Sequence, residues 1–323
     1  MLARFVLLIS TVFLFSSGAW AQSTQPLTIV AKIWLGSSGR IDHMSVDRQR
    51  HRLFVAELGN NSIAVVDLDA RKLAKRITSV KEPQGVLYVP GADTLFVASG
   101  DDGSVHASKG DELVPSGQLD FRDDADNLRL DPDGKRVWVG YGSGALATFD
   151  AASLQKVGEI RLKGHPESFQ IQKSGPRIYV NVPGAREVAV VDRMLGKQVA
   201  SWNPEAISNF PMTLIDDSVA VVSRIPARLI VFDAAGKSVS RQSTCGDSDD
   251  LFNDSKRQRL YVSCGSGVIE IYDLSKSAPV LMSRIDTSSG ARTSFFDADA
   301  DRLYLAVRAQ GSSPAEIWVY QPN

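Results

Sequence analysis

Charged and amide side chains recur at one offset along this chain. Asp42, Gln84, Asp126, Glu167, Phe210, Asp249 and Arg292 each stand just before an apolar hairpin. The next offset holds His43, Gly85, Asn127, Ser168, Pro211, Asp250 and Thr293. If the hairpins surround a common axis, these two columns meet at one end of it. Counting along the hairpins places Glu57 opposite Asp42, and Tyr141 opposite Asp126. It also brings Arg224 and Arg308 to the same rim. Crowded carboxylates need a cation, a basic ligand or raised pKa values. A set of Asp, Glu and Asn oxygens suits a hard ion such as Ca²⁺ or another divalent cation, with Asp126, Glu167 and Asp249 as its expected ligands. The bland alternative is a water-filled mouth of solvated charges. His43 and His165 are the histidines nearest this rim, where an imidazole could serve as base or ligand. His51 falls in a turn at the opposite end and His106 in a third strand.

The elements that position these residues are short strands. Residues 123–162 show the unit most clearly, as DDADNLRLDPDGKRVWVGYGSGALATFDAASLQKVGEIRL. It holds four apolar or alternating runs separated by turn signals, in about forty residues, the pattern of a propeller blade. Seven such units follow one another, the fifth degenerate and with Asp216-Asp217 as its first turn. The seventh ends after three strands. The lone N-terminal run LTIVAKIWLG matches the missing fourth, so the first strand is expected to complete the last blade. The expected fold is all-β, a seven-bladed β-propeller of four-stranded antiparallel blades. A helical turn is expected within residues 203–209, between blades four and five. Asp67, Asp150, Asp192, Asp233 and Asp273 end third strands and are expected to accept hydrogen bonds from turn amides.

The runs RLFVAELGNNSIAVVDL, KRVWVGYGSGALATFD, PRIYVNVPGAREVAVVD and RLYVSCGSGVIEIYDL resemble the YVTN-type repeats of the YncE-like seven-bladed β-propellers. The resemblance covers essentially all of residues 26–323. It implies an exported binding or surface protein; similar propellers also form parts of periplasmic redox enzymes. Only Pro83-Gln84-Gly85 follows the Pro-x-Gly element with which that repeat commonly begins.

Cys245 and Cys264 fall in blade six at the charged rim. Cys264 is expected across from Asp249, and a disulfide between the two cysteines would clamp the loop leading into that blade. Near-neutral charge, −1 over 323 residues, argues against nucleic acid as the main partner. The N-terminus reads as a signal peptide: Arg4, an apolar run from Phe5 to Phe15, and Ala19-Trp20-Ala21 as cleavage site. Residues 1–21 would be removed near Ala21 and 22–323 would form one propeller domain, periplasmic or secreted, with no membrane span. There is no C-x-x-C-H, G-x-S-x-G, H-E-x-x-H or Walker sequence, so no motif supplies a cofactor or a nucleophile. The expected function is non-catalytic binding of a small ligand, a cation or a periplasmic protein at the rim. The alternatives are a metal-dependent, lactonase-like hydrolase and a subunit of a periplasmic redox complex.

Overall fold

Valine, isoleucine, leucine and aromatic residues fill the second strand of every blade, and packing explains why. Arg52–Glu57, Arg136–Tyr141, Arg177–Val182, Arg259–Cys264 and Arg302–Val307 are each buried at every position after the first. A strand covered on both faces must be apolar throughout. Outermost strands instead alternate between half-buried and exposed, as Ser238–Ser243 does, because one face meets water. A computed structural model describes residues 25–36 and 39–323; the signal peptide read at residues 1–21 lies outside the described residues. The strands form seven four-stranded antiparallel sheets arranged as a β-propeller. Blade three, for example, comprises Ala125–Leu130, Arg136–Tyr141, Ala145–Asp150 and Lys156–Arg161.

Blade seven is built from both ends of the chain. Its inner strands are Ser294–Asp297, Arg302–Val307 and Ala315–Pro322, and its outermost strand is Leu27–Gly36. That strand pairs antiparallel to Ala315–Pro322, from Leu27 opposite Pro322 to Gly36 opposite Ala315. Leu27, Ile33 and Leu35 are buried by it.

The core is a set of apolar clusters, most of them spanning two adjacent blades. At the end of the ring away from the charged rim, ion pairs tie neighbouring blades: Arg50–Asp93 at 2.8 Å, Arg193–Asp131 at 3.2 Å, Arg257–Asp301 at 2.6 Å and Arg48–Asp297 at 2.9 Å. All five turn aspartates accept from amides two to four residues on: Asp67 from Ala70, Asp150 from Ser153, Asp192 from Leu195, Asp233 from Lys237 and Asp273 from Ser275. Four of these turns, all but that of Asp273, and the matching turn of blade two carry a residue with positive φ. In blades two and three it is Leu113 or Leu154, which plugs the seam against the preceding blade. In blade one it is Arg71, and an open groove of about 630 Å³ remains between blades seven and one.

Two local expectations are corrected. Residues 203–209 hold no helical turn; the strand Ile207–Ile215 begins inside that stretch. The hairpin registers expected from counting are off by one at the rim. A β-bulge there, in or just before the first strand of blades one to six, sets two residues against one. Asp42 N–H donates to Ala56 O, and Ala56 N–H donates to His43 O. Ala125, not Asp126, therefore lies opposite Tyr141. Likewise Ser248, not Asp249, lies opposite Cys264.

Candidate ligand site at the channel mouth

The bulge is what furnishes the rim. An extended strand points alternate residues away from the channel, but a bulge turns two adjacent ones toward it. The shift recurs at residues 84–85, 126–127, 210–211 and 249–250. Glu167 and Ser168 make the same pair of bonds with Asn181 as Asp42 and His43 make with Ala56. In blade seven, Ala306 N–H donates to Thr293 O. The result is a cavity of about 410 Å³ that all seven first-column residues line, together with His43, Asn127, Ser168, Asp250 and Thr293 from the second column. Gly85 keeps clear for a steric reason: a Cβ there would sit 2.1 Å from Asp126 O.

The walls differ in how their charges are used. On the side of blades five to seven they are spent on one another. Asp249 lies between Arg224, its hydrogen-bond donor, and Arg292 at 3.1 Å. Asp247 accepts from Arg292 at 2.5 Å. Arg224 also donates to Ser248 O at 2.8 Å, and its guanidinium covers the Phe210 ring at 3.9 Å from the centroid. Asp42 pairs with His43 at 2.6 Å and with Arg40 at 3.5 Å.

The side of blades three and four is under-neutralised. Asp126 and Asn127 are 4% and 2% exposed, and the Oδ1 atom of each is buried without a hydrogen-bond partner. Among the described residues, Asp126 Oδ2 has only Asn127 Nδ2 at 3.4 Å and His165 Nε2 at 3.9 Å. Asp124 accepts from Gln84 at 2.7 Å. The Glu167 carboxylate makes no hydrogen bond or ion pair among the described residues. Burial first, then the charge of Asp126, pushes Glu167 up to about 7. Burial also lifts Asp250 to about 7, against the pull of His43. Both imidazoles also shift upward, but against their burial. Burial alone would lower them, but Asp42, Asp126 and Asp250 raise His43 to about 10. Asp126, Asp124 and the Gly142 carbonyl raise His165 to about 9. Each is an imidazolium at neutral pH, a donor and a fixed charge rather than a general base.

Two expected rim residues are elsewhere. Glu57 is fully buried beside the outer strand of blade one, where it accepts from Ser62 at 2.7 Å and from Arg76 at 2.7 and 2.9 Å. The bulge shifts it out of line with Asp42. Arg308 lies beside the cavity, its guanidinium against Gly290 behind Arg292. Arg224, Arg292, Asp249 and Asp250 do line the cavity. Asp126, Glu167 and Asp249 all line it but do not converge. Among the described residues, no three His, Cys, Asp or Glu side chains are grouped to hold a metal ion.

Four contributors escaped the two columns: Arg40, Asp124, His165 and Asp247. Each stands two residues before its first-column residue. In extended chain that spacing returns a side chain to the same face, so a third column was there to be read.

Cys245 and Cys264 are joined by a disulfide with their Cα atoms 6.0 Å apart. The bridge pins the loop that carries Asp247. Closing 19 residues of sequence by a covalent link restricts the unfolded chain by about 3 kcal/mol. The double variant Cys245→Ala/Cys264→Ala is expected to lose about that much in a denaturant melt. Unchanged stability would mean the bridge does not restrain the loop.

No family model matches the chain, and no curated protein matches it in sequence. Its shape does have solved counterparts. A chain of the Kuenenia stuttgartiensis hydrazine synthase is similar with a TM-score of 0.72 at 17% identity, over 85% of this chain and 94% of that one. A chain in the crystal structure of the mitotic checkpoint complex is similar with a TM-score of 0.77 at 13% identity, over 98% and 99%. Likeness at such identities speaks for the propeller alone.

Proposed function

We propose that this chain is an exported, non-catalytic binding protein that holds a small cation at its channel mouth. The observation that carries the reading is a pair of buried acceptors without a partner, Asp126 Oδ1 and Asn127 Oδ1, on two residues that line the cavity. Leaving a buried acceptor unsatisfied costs about 1–3 kcal/mol, and a bound cation beside unpaired Glu167 removes that cost. Export rests on the sequence of residues 1–21. No helix among the described residues is long and apolar enough to cross a membrane.

A hydrolytic role has less support. Both histidines at the mouth are held protonated, so neither can take a proton from water at neutral pH. A divalent ion as the activating group would need carboxylates to swing together from opposite walls. A place in a multi-protein assembly agrees with the fold, since one similar chain lies in a complex; it does not account for the orphan oxygens.

Equilibrium titration with Ca²⁺, Mg²⁺ and small organic ammonium ions tests the proposal. At least one is expected to bind, and Asp126→Ala should weaken it tenfold or more with the fold intact. If none binds, or if Asp126→Ala binds as tightly, the mouth is only a solvated opening. Metal-dependent turnover of a lactone would favour the hydrolase instead.

A further inference from the structure

We infer that the cation is a primary ammonium group, as on a small alkylamine, and that the mouth rejects its quaternary counterpart; this rests on the reading of the mouth as a cation site. Hydrogen-bonding capacity is the first argument. Each orphaned buried atom in the cavity wall is an acceptor, Asp126 Oδ1 and Asn127 Oδ1. Glu167, on the next blade, adds an unpaired carboxylate. An organic cation satisfies them only if it carries hydrogen-bond donors. A primary ammonium carries three in a compact head; a quaternary ammonium carries none.

The second argument is the absence of an open aromatic face. Sites for quaternary ammonium ions surround the cation with ring faces. Among the described residues, Phe210 is the one Phe, Tyr or Trp lining this cavity, and Arg224 already lies over it at 3.9 Å. A methylated head would thus bury acceptors without bonding them and find no ring in exchange.

The third argument sets a single charge above a double one. His165, a cation at neutral pH, stands 3.9 Å from Asp126 and half-neutralises the wall. A monovalent donor leaves His165 less crowded by positive charge than a dication would, and a dication loses more hydration on entering. The arginines of the opposite wall are engaged by Asp247 and Asp249, so nothing there calls for an anionic tail.

The seat is also linked to protons. Asp126, Asp249, Asp42 and His165 all act on Glu167, and the balance keeps it partly protonated near neutrality. The ammonium must displace that proton. Affinity therefore rises with pH from about 6 to about 8, while a simple amine, whose pKa lies near 10, stays charged.

The experiment compares n-butylammonium, butyltrimethylammonium and Ca²⁺ by calorimetry on the exported chain at pH 6 and pH 8. The expected result is butylammonium at least tenfold tighter than its trimethyl analogue, tighter at pH 8, with proton release. Glu167→Gln, nearly isosteric, should lose about tenfold and the pH dependence together while its melt stays cooperative. Equal affinity for the two ammonium ions overturns the inference, as does binding of Ca²⁺ alone. Either leaves the cation site standing, whereas no binding by any of the three at either pH removes both.

Discussion

Stability of this protein peaks on the acid side of neutrality and declines as pH rises from about 5 to about 9. The sign follows from the mouth. Glu167 and Asp250 hold protons up to about 7 in the folded chain but release them near 4 when unfolded. Between those values the native state binds more protons, so raising the pH favours unfolding. His43 and His165 act in the same direction over a higher window. Their folded values are about 10 and about 9, against about 6.5 unfolded. Their contribution is complete below 6.5 and is lost as pH climbs through 9 to 10. The inter-blade aspartates bound the acid side. Arginines hold Asp93 down to about 2 and Asp301 lower still, and that stabilisation disappears only as pH falls below the usual carboxylate range. Each mouth carboxylate is worth about 1–2 kcal/mol across its window, allowing for water in the open cavity. Thermal melts at pH 5, 7 and 9 should fall by several degrees overall. Glu167→Gln and Asp250→Asn should each flatten the lower half of that slope. A stability optimum at pH 8 or above would show that the mouth carboxylates ionise normally.

Removing the strand Leu27–Gly36 should abolish cooperative folding. Three side chains of that strand, Leu27, Ile33 and Leu35, are at most 1% exposed. At about 1.5–3 kcal/mol each they supply roughly 5–9 kcal/mol, the order of a whole domain's stability. The deletion also bares the edge of Ala315–Pro322, a ready template for pairing between chains. A chain beginning after residue 36 is expected to aggregate, or to melt without a transition by circular dichroism. The single change Leu35→Ala, which leaves the strand in place, should cost about 2–5 kcal/mol. A truncated chain that melts as sharply as the intact one would mean that the ring does not depend on this closure.

The fold was legible because packing repeats. Runs such as RLFVA, RLYVS and RLYLA are apolar at consecutive positions only where both faces are covered, and the fourth strand missing from blade seven matched one unpaired run. The mouth was legible for a related reason. Once the hairpins align, any residue at a fixed distance before them lies at a fixed height in the ring, and all seven first-column residues line the cavity. What escaped depends on backbone hydrogen bonds and on partners distant in sequence. Nothing in Asp42-His43 or Asp126-Asn127 announces a bulge, yet the bulge carries Glu57 away to Arg76. Which arginine is engaged and which carboxylate is left bare follows from contacts between blades, as Arg224 pairing with Asp249 while, among the described residues, no arginine pairs with Glu167.

A ring whose last blade borrows its outermost strand from the chain's beginning has an order of assembly imposed on it. Leu27–Gly36 is the first described strand in sequence, and its partner, Ala315–Pro322, is the last. Blades one to six are each built from neighbouring sequence; the final joint is not. It must close a loop nearly as long as the protein, the kind of contact that slows folding most. Until then the chain carries an unpaired apolar strand at one end and an open sheet edge at the other, so the interval between synthesis and closure is when it is most exposed to aggregation and to proteases.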